Sequence, residues 1–172
     1  MPKDDRLAAS MAMTAPKTDA LSIELFEQPG HLIRRAQQIA VAMFVEALGR
    51  DVTPVQYAVM RMLQERPGLD QVSLAREVAL DTSTTADIAA RLEGKGWILR
   101  EVLPRRQRRL LLTAAGEAVL ARLLPGIQRM NVAMLGGLEA DEREIFMRLL
   151  RKFVALNNDL SRAPHRSGPD FN

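Results

Sequence analysis

The chain has 172 residues, 26% charged and 47% hydrophobic, the composition of ordinary soluble globular material rather than of a fibrous or disordered chain. It contains no cysteine, which excludes disulfides, thiolate catalysis, thiolate zinc sites and thiol redox sensing. Net charge is only +3 but unevenly placed: seven basic and two acidic residues between Arg91 and Arg109 give a local +5, leaving −2 for the rest.

Taken in chain order, residues 1–29 read as a disordered arm. They lack a continuous apolar core and carry Asp4 and Asp5 early, so no signal peptide is expected. No run reaches the roughly 18–20 apolar residues of a membrane span, so a cytoplasmic protein without a membrane partner is expected. After Pro29-Gly30, Leu32, Ile33, Ala36, Ile39, Ala40, Met43, Phe44 and Ala47 recur at three- and four-residue spacings, an amphipathic helix ending at Gly49. Thr53-Pro54 is an N-cap followed by proline at the first helical position, opening a second helix to about Glu65.

A short helix is expected from about Ser73, with room for a short strand at about Gln71 to Ser73. Asp81 caps a further helix that Gly94 and Gly96 terminate. Trp97 to Leu103 and Arg108 to Thr113 are apolar or branched runs separated by "PRRQ", a two-stranded hairpin. Thr113 caps a helix to about Leu135 that Pro125-Gly126 is expected to kink. Gly136-Gly137 breaks the chain, a last helix covers about 140–160, and residues 161–172 form a flexible tail. The fold class is therefore mainly α, in the order α-α-α-α-β-β-α-α.

The informative segment is Ser73 to Thr113. Two short helices joined by a tight turn, with Ala75 in the first, fit a helix-turn-helix. The second opens Thr82-Ser83-Thr84-Thr85, hydroxyl residues that compete for backbone groups inside a helix. At a helix start they can serve as caps, or they can meet phosphates and base edges in a major groove. A basic hairpin follows directly, which makes the unit a winged helix with its dense arginines at the wing tip. The mildly acidic body and single basic segment point to a polyanion met at one place.

Four stretches resemble the MarR-type transcriptional regulators: "VTPVQYAVMRML", "SLAREVALDTSTTADIAARLEGKGWILR", "RRLLLTAAG" and "GLEADEREIFMRLLRKF". They stand in the family's order, and the resemblance covers about Leu32 to Leu160. "DTSTTADIAARLEGKGW" resembles proteobacterial repressors of aromatic or pyridine-carboxylate breakdown. The resemblance implies a homodimer on a pseudo-palindromic operator in double-stranded DNA. Residues 30–50 and 114–160 would dimerise, and residues 51–113 would form the winged helix-turn-helix DNA-binding domain. Met130, Met134, Leu135, Ile145, Phe146, Leu149, Leu150 and Phe153 suit a shared helical core.

The DNA-binding candidates are Thr82, Ser83, Thr84, Thr85, Asp87 and Arg91 on the recognition helix, with Arg105, Arg106 and Arg108 on the wing. Two positions depart from the family pattern: Pro104 replaces the aspartate that braces the wing, and Asp87 stands where relatives carry a basic or neutral residue. Asp87 could accept from a cytosine amino group or orient a neighbouring arginine.

The resemblance also implies a small aromatic acid effector near His31, Arg34, Gln38, Phe44, Arg50, Thr53, Gln56 and Tyr57. Each has an ordinary alternative as core, cap or solvated residue. No nucleophile motif, phosphate loop or metal-spaced set occurs, so no enzyme activity, cofactor or metal is expected. The alternative function is a ligand-independent winged helix acting as an architectural or protein-interaction module, which would not need base-reading hydroxyls.

Overall fold

Four of the helix starts in this chain are written by a side chain that takes over backbone amides lacking an acceptor in their own helix. The computed structural model describes residues 24–102 and 108–160. Its helices are α1 (Pro29–Leu48), α2 (Pro54–Glu65), α3 (Gln71–Glu77), α4 (Thr82–Gly94), α5 (Ala114–Met134) and α6 (Ala140–Leu156), with strands β1 (Ile98–Val102) and β2 (Arg108–Leu112) between α4 and α5. At α2, Thr53 Oγ1 accepts from the Gln56 amide at 3.2 Å and Gln56 Oε1 accepts from the Thr53 amide at 3.1 Å, a reciprocal capping box. Asp70 caps α3, Asp81 caps α4, and Thr113 caps α5 through the Gly116 amide.

Three local expectations change. Residues 24–29, placed in the disordered arm, instead form a 3-10 turn (Leu25–Glu27) and the start of α1, because Pro29 suits a first helical turn where no amide is needed. The strand at Gln71 to Ser73 does not form. Asp70 accepts from the Val72 and Ser73 amides at 2.9 and 3.0 Å and pulls these residues into α3. Pairing of β type lies one step earlier, where the Gly68 amide donates to Leu110 O and the Leu110 amide to Leu69 O. The last helix ends at Leu156 and is followed by a 3-10 turn, Asn158–Leu160. At Pro125-Gly126, α5 continues unbroken, and a Cβ at Gly126 would strike Leu48 Cδ2.

The two strands pair antiparallel with Ile98 opposite Leu112 and Val102 opposite Arg108. The segment between them, which holds Pro104, Arg105 and Arg106, lies outside the described residues. The core joins Val59, Met60 and Leu63 of α2, Leu74 of α3, Ala89 and Leu92 of α4, Ile98, Leu110, and Leu120 and Leu123 of α5. By chain contacts one compact unit ends at Gln37 and a second begins at Gln38, within α1.

α6 buries none of its residues. Its Ile145, Phe146, Leu149, Leu150 and Phe153 are 43–50% exposed. A stripe of that kind on one helix marks a surface made to be covered.

Candidate nucleic-acid interface

The turn between α3 and α4 closes where Ala79 adopts a left-handed conformation (φ 54°) and the Leu80 amide donates back to Ala75 O at 2.9 Å. Gln71 Nε2 also donates to Thr82 O at 3.2 Å, tying the start of α3 to the start of α4. This fixes the first turn of α4, where the hydroxyl residues lie.

The four hydroxyls do different work. Thr85 is fully buried and its Oγ1 donates to Asp81 O at 2.9 Å, so its candidacy as a DNA contact is corrected: it packs in the core and cannot reach a groove. Thr82 and Ser83 are exposed and Thr84 is half-buried. Ser83 Oγ donates to Asp81 Oδ1 at 2.5 Å, Thr84 Oγ1 donates to Asp81 Oδ2 at 2.7 Å, and the Thr84 amide reaches Asp81 Oδ1 at 2.8 Å. The Ser83 hydroxyl, then the Thr84 amide and hydroxyl, hold the Asp81 carboxyl far below the usual carboxylate range. Asp87 and Arg91 are exposed further along α4, and neither forms an ion pair among the described residues.

The basic segment is partly consumed by the fold. Arg109 Nε donates to Glu101 Oε2 at 2.6 Å directly across the hairpin. Arg100 Nε lies 3.1 Å from Glu93 Oε2, poorly aligned for a hydrogen bond, and its Nη2 donates to Ala86 O at 3.4 Å. Lys95 sits 4.3 Å over the Trp97 ring and donates to Asp51 O at 2.9 Å. Arg91 and Arg108 remain exposed, with Arg105 and Arg106 beyond the described residues. The Glu101–Arg109 pair braces the hairpin across its two strands, and the Arg100 contacts fasten β1 to α4.

Asp70 is the other acidic cap. Its carboxyl is held below the ordinary 3.8, chiefly by the Ser73 hydroxyl and then by backbone amides. A depressed folded-state value stabilises the fold above the unfolded-state value and loses that contribution as pH falls towards the folded one. Asp70→Ala is therefore expected to cost about 1 kcal/mol at neutral pH. In denaturant titrations the gap to wild type should shrink as pH drops below the ordinary carboxylate value; a gap constant with pH would refute the charged cap.

The effector candidates are not all free. Phe44 is buried against Tyr57, ring centroids 6.0 Å apart, and Thr53 and Gln56 form the α2 capping box. Gln38 and Arg50 are exposed. In the first unit, His31 meets Phe26 edge to face at 5.2 Å with its Nε2 buried and unpartnered, while Arg34 is exposed. A cleft of about 310 Å³ lies elsewhere, between Ala47 and Leu48 of α1 and Arg122, Pro125, Gly126 and Arg129 of α5. Arginines seven residues apart on one helix face were the sequence signal for it.

The MarR family profile matches residues 52–109, from α2 to the second strand of the hairpin. The transcriptional regulator HosA of Escherichia coli is 38% identical over 126 residues, covering 72% of this chain and 93% of HosA. The chain belongs to the MarR family. This MarR-family protein is a DNA-binding transcriptional regulator. Its fold matches that of the PcaV transcriptional regulator from Streptomyces coelicolor in complex with its natural ligand, with a TM-score of 0.73 at 37% identity over 77% of this chain and 96% of PcaV. It also matches BpsR of Bordetella bronchiseptica, whose DNA binding is regulated by 6-hydroxynicotinic acid, with a TM-score of 0.69 at 30% identity over 74% of this chain and 93% of BpsR. Among the described residues of this MarR-family chain no helix is long and apolar enough to cross a membrane, and no acidic or histidine cluster could hold a metal.

Proposed function

We propose that this MarR-family regulator is a homodimeric repressor that leaves its operator when a small aromatic acid binds. The observation that carries the DNA reading is the exposed polar start of α4, held by Asp81, together with the exposed Arg91 of α4 and Arg108 of β2, which form no ion pair among the described residues. In this reading Thr82, Ser83, Thr84 and Asp87 face bases in the major groove, while Arg91, Arg105, Arg106 and Arg108 meet phosphate or the adjoining minor groove. Residues 51–113 are the DNA-binding domain, and residues 30–50 and 114–160 carry the dimer contacts. The exposed stripe of α6 supports that division.

The effector reading rests on the likeness to BpsR and PcaV. An aromatic carboxylate needs a guanidinium and a flat apolar wall. Within the second unit Arg50 is an exposed donor, Gln38 adds a polar group, and Phe44 and Tyr57 are the aromatic walls. Within the first unit, taken by itself, Arg34 is an exposed donor and His31 Nε2 has no partner among the described residues. Thr53 and Gln56 serve through the α2 cap they build.

The test is a selection of bound duplexes from a random pool, followed by fluorescence anisotropy of the selected operator against a panel of aromatic and pyridine carboxylates that includes 6-hydroxynicotinic acid. Release by one of them, saturable and absent with benzene or aliphatic acids, supports the reading. Binding that ignores duplex sequence, or that every acid leaves unchanged, defeats it. In the same assay Arg106→Ala and Arg108→Ala should each weaken binding to all duplexes and lower the salt slope by about one. An unchanged slope in both would remove the wing from the interface.

A further inference from the structure

We infer that Ser83, Thr84 and Asp87 of α4 read exocyclic amino groups: these three side chains, Thr84 half-buried and the other two exposed, offer hydrogen-bond acceptors only, because both hydroxyls donate to Asp81. Thr82, whose hydroxyl is not bound to Asp81, is not one of this set. The inference rests on α4 being the recognition helix and adds the chemical polarity of what it recognises.

A hydroxyl has one proton and two lone pairs. An ionised carboxylate has no proton to give, so in both contacts with Asp81, at 2.5 and 2.7 Å, the shared proton comes from the hydroxyl. Ser83 and Thr84 are then left with lone pairs alone. A hydroxyl that donates to an anion also becomes a better acceptor, since the bond pushes electron density onto its oxygen. The Asp81 carboxyl is held far below the usual carboxylate range and so remains an acceptor for both hydroxyls.

Asp87 lies four residues after Ser83 and three after Thr84, which puts all three on one helix face. It is exposed and makes no ion pair among the described residues, including with Arg91 one turn on. Its carboxylate oxygens are likewise acceptors. Three acceptors side by side cannot bond guanine O6 and N7 or thymine O4, which are acceptors themselves. Their complements in the major groove are the amino groups of cytosine N4 and adenine N6. Phosphates, also pure acceptors, are left to the arginines.

The experiment uses the full-length protein and the operator it selects. Duplexes are made in which single cytosines are replaced by 2-pyrimidinone and single adenines by purine, each deleting one amino group. A matching set replaces guanine by 7-deazaguanine. At one to three positions per half-site, amino deletion should weaken binding roughly fivefold or more, the worth of one good hydrogen bond. Thr84→Ala and Asp87→Ala should each erase that sensitivity at one position. Asp81→Asn, which still caps the helix but carries donor protons of its own, should broaden base preference at the same positions. Its melting temperature is checked alongside, and the wild-type analogue series tests the inference without it.

If Ser83→Ala, Thr84→Ala and Asp87→Ala bind operator and random duplexes as wild type does, α4 is not the reading helix and both ideas fall. If they lose discrimination while amino deletions are silent and the 7-deaza series is not, the helix reading stands and the acceptor inference alone is overturned.

Discussion

Gly116→Ala is expected to lower the melting temperature by about 2–12 °C. Gly116 stands at the third position of α5, buried where the helix start crosses the end of β2 and the Trp97 backbone. A Cβ there would overlap Trp97 O and Leu112 Cδ1. The carbonyl cannot give way, because it accepts the Thr113 amide at 3.0 Å. Thr113 Oγ1, which accepts the Gly116 amide, is itself tied to Gly96 O at 2.7 Å. The methyl group therefore pushes α5 off the hairpin base. Overpacking of this sort costs about 1–3 kcal/mol, and loss of the Trp97–Thr113 bond adds about 1. Better helix propensity returns about 1, leaving a net loss of about 1–3 kcal/mol. Gly30→Ala is the control: nothing lies within 4 Å of a Cβ there and α1 is helical, so that variant should melt at or above wild type. Equal melting of the two would show that the close approach at Gly116 is not real. The glycine of "LLLTAAG" is thus a packing requirement, and it sets where the wing leaves the helical body.

Helix positions were legible wherever the cap stands in the sequence beside a periodic run, as at Thr53-Pro54, Asp81 and Thr113. Asp70 is a cap of the same kind, but Gln71-Val72-Ser73 has a branched residue and reads as strand unless the two amides Asp70 captures are counted. Thr85 reads from the sequence as a DNA contact but is buried, for a reason visible in the pattern. It lies four residues before Ala89 and seven before Leu92, both fully buried, so a hydroxyl at that place faces the core and must bond its own helix. Four consecutive hydroxyls circle the helix, and one of them has to point inward. The Glu101–Arg109 brace was beyond reach for a different cause. Cross-strand partners follow from hairpin register, and register is a property of the folded pair. Likewise the wing arginines were read as one block, although Arg100 and Arg109 spend their charge on Glu93 and Glu101. The local +5 overstates what a duplex meets.

Phe146→Glu is expected to convert the protein to a monomer at micromolar concentration and to collapse operator affinity. Phe146, Leu149, Leu150 and Phe153 sit on one face of α6, each nearly half exposed, and no residue of α6 is buried within its own chain. An apolar side chain covered by a partner contributes up to about 1.5–3 kcal/mol when fully buried, and less here because half of each is already shielded. A two-fold interface holds every substitution twice, so the loss doubles. The introduced carboxylates add desolvation cost of several kcal/mol each unless they escape to water. Even about 4 kcal/mol in total raises the dimer dissociation constant roughly a thousandfold. DNA binding should follow, since a lone winged lobe grips one half-site and forfeits the gain from holding two at once. Arg151→Glu, on the opposite face of α6, reverses a charge without touching the stripe and should remain dimeric. Sedimentation and operator anisotropy on both variants separate the cases. A dimeric Phe146→Glu would mean that the α6 stripe is covered by something other than a second copy of this chain. A monomeric variant with wild-type operator affinity would mean that each lobe reads its site alone.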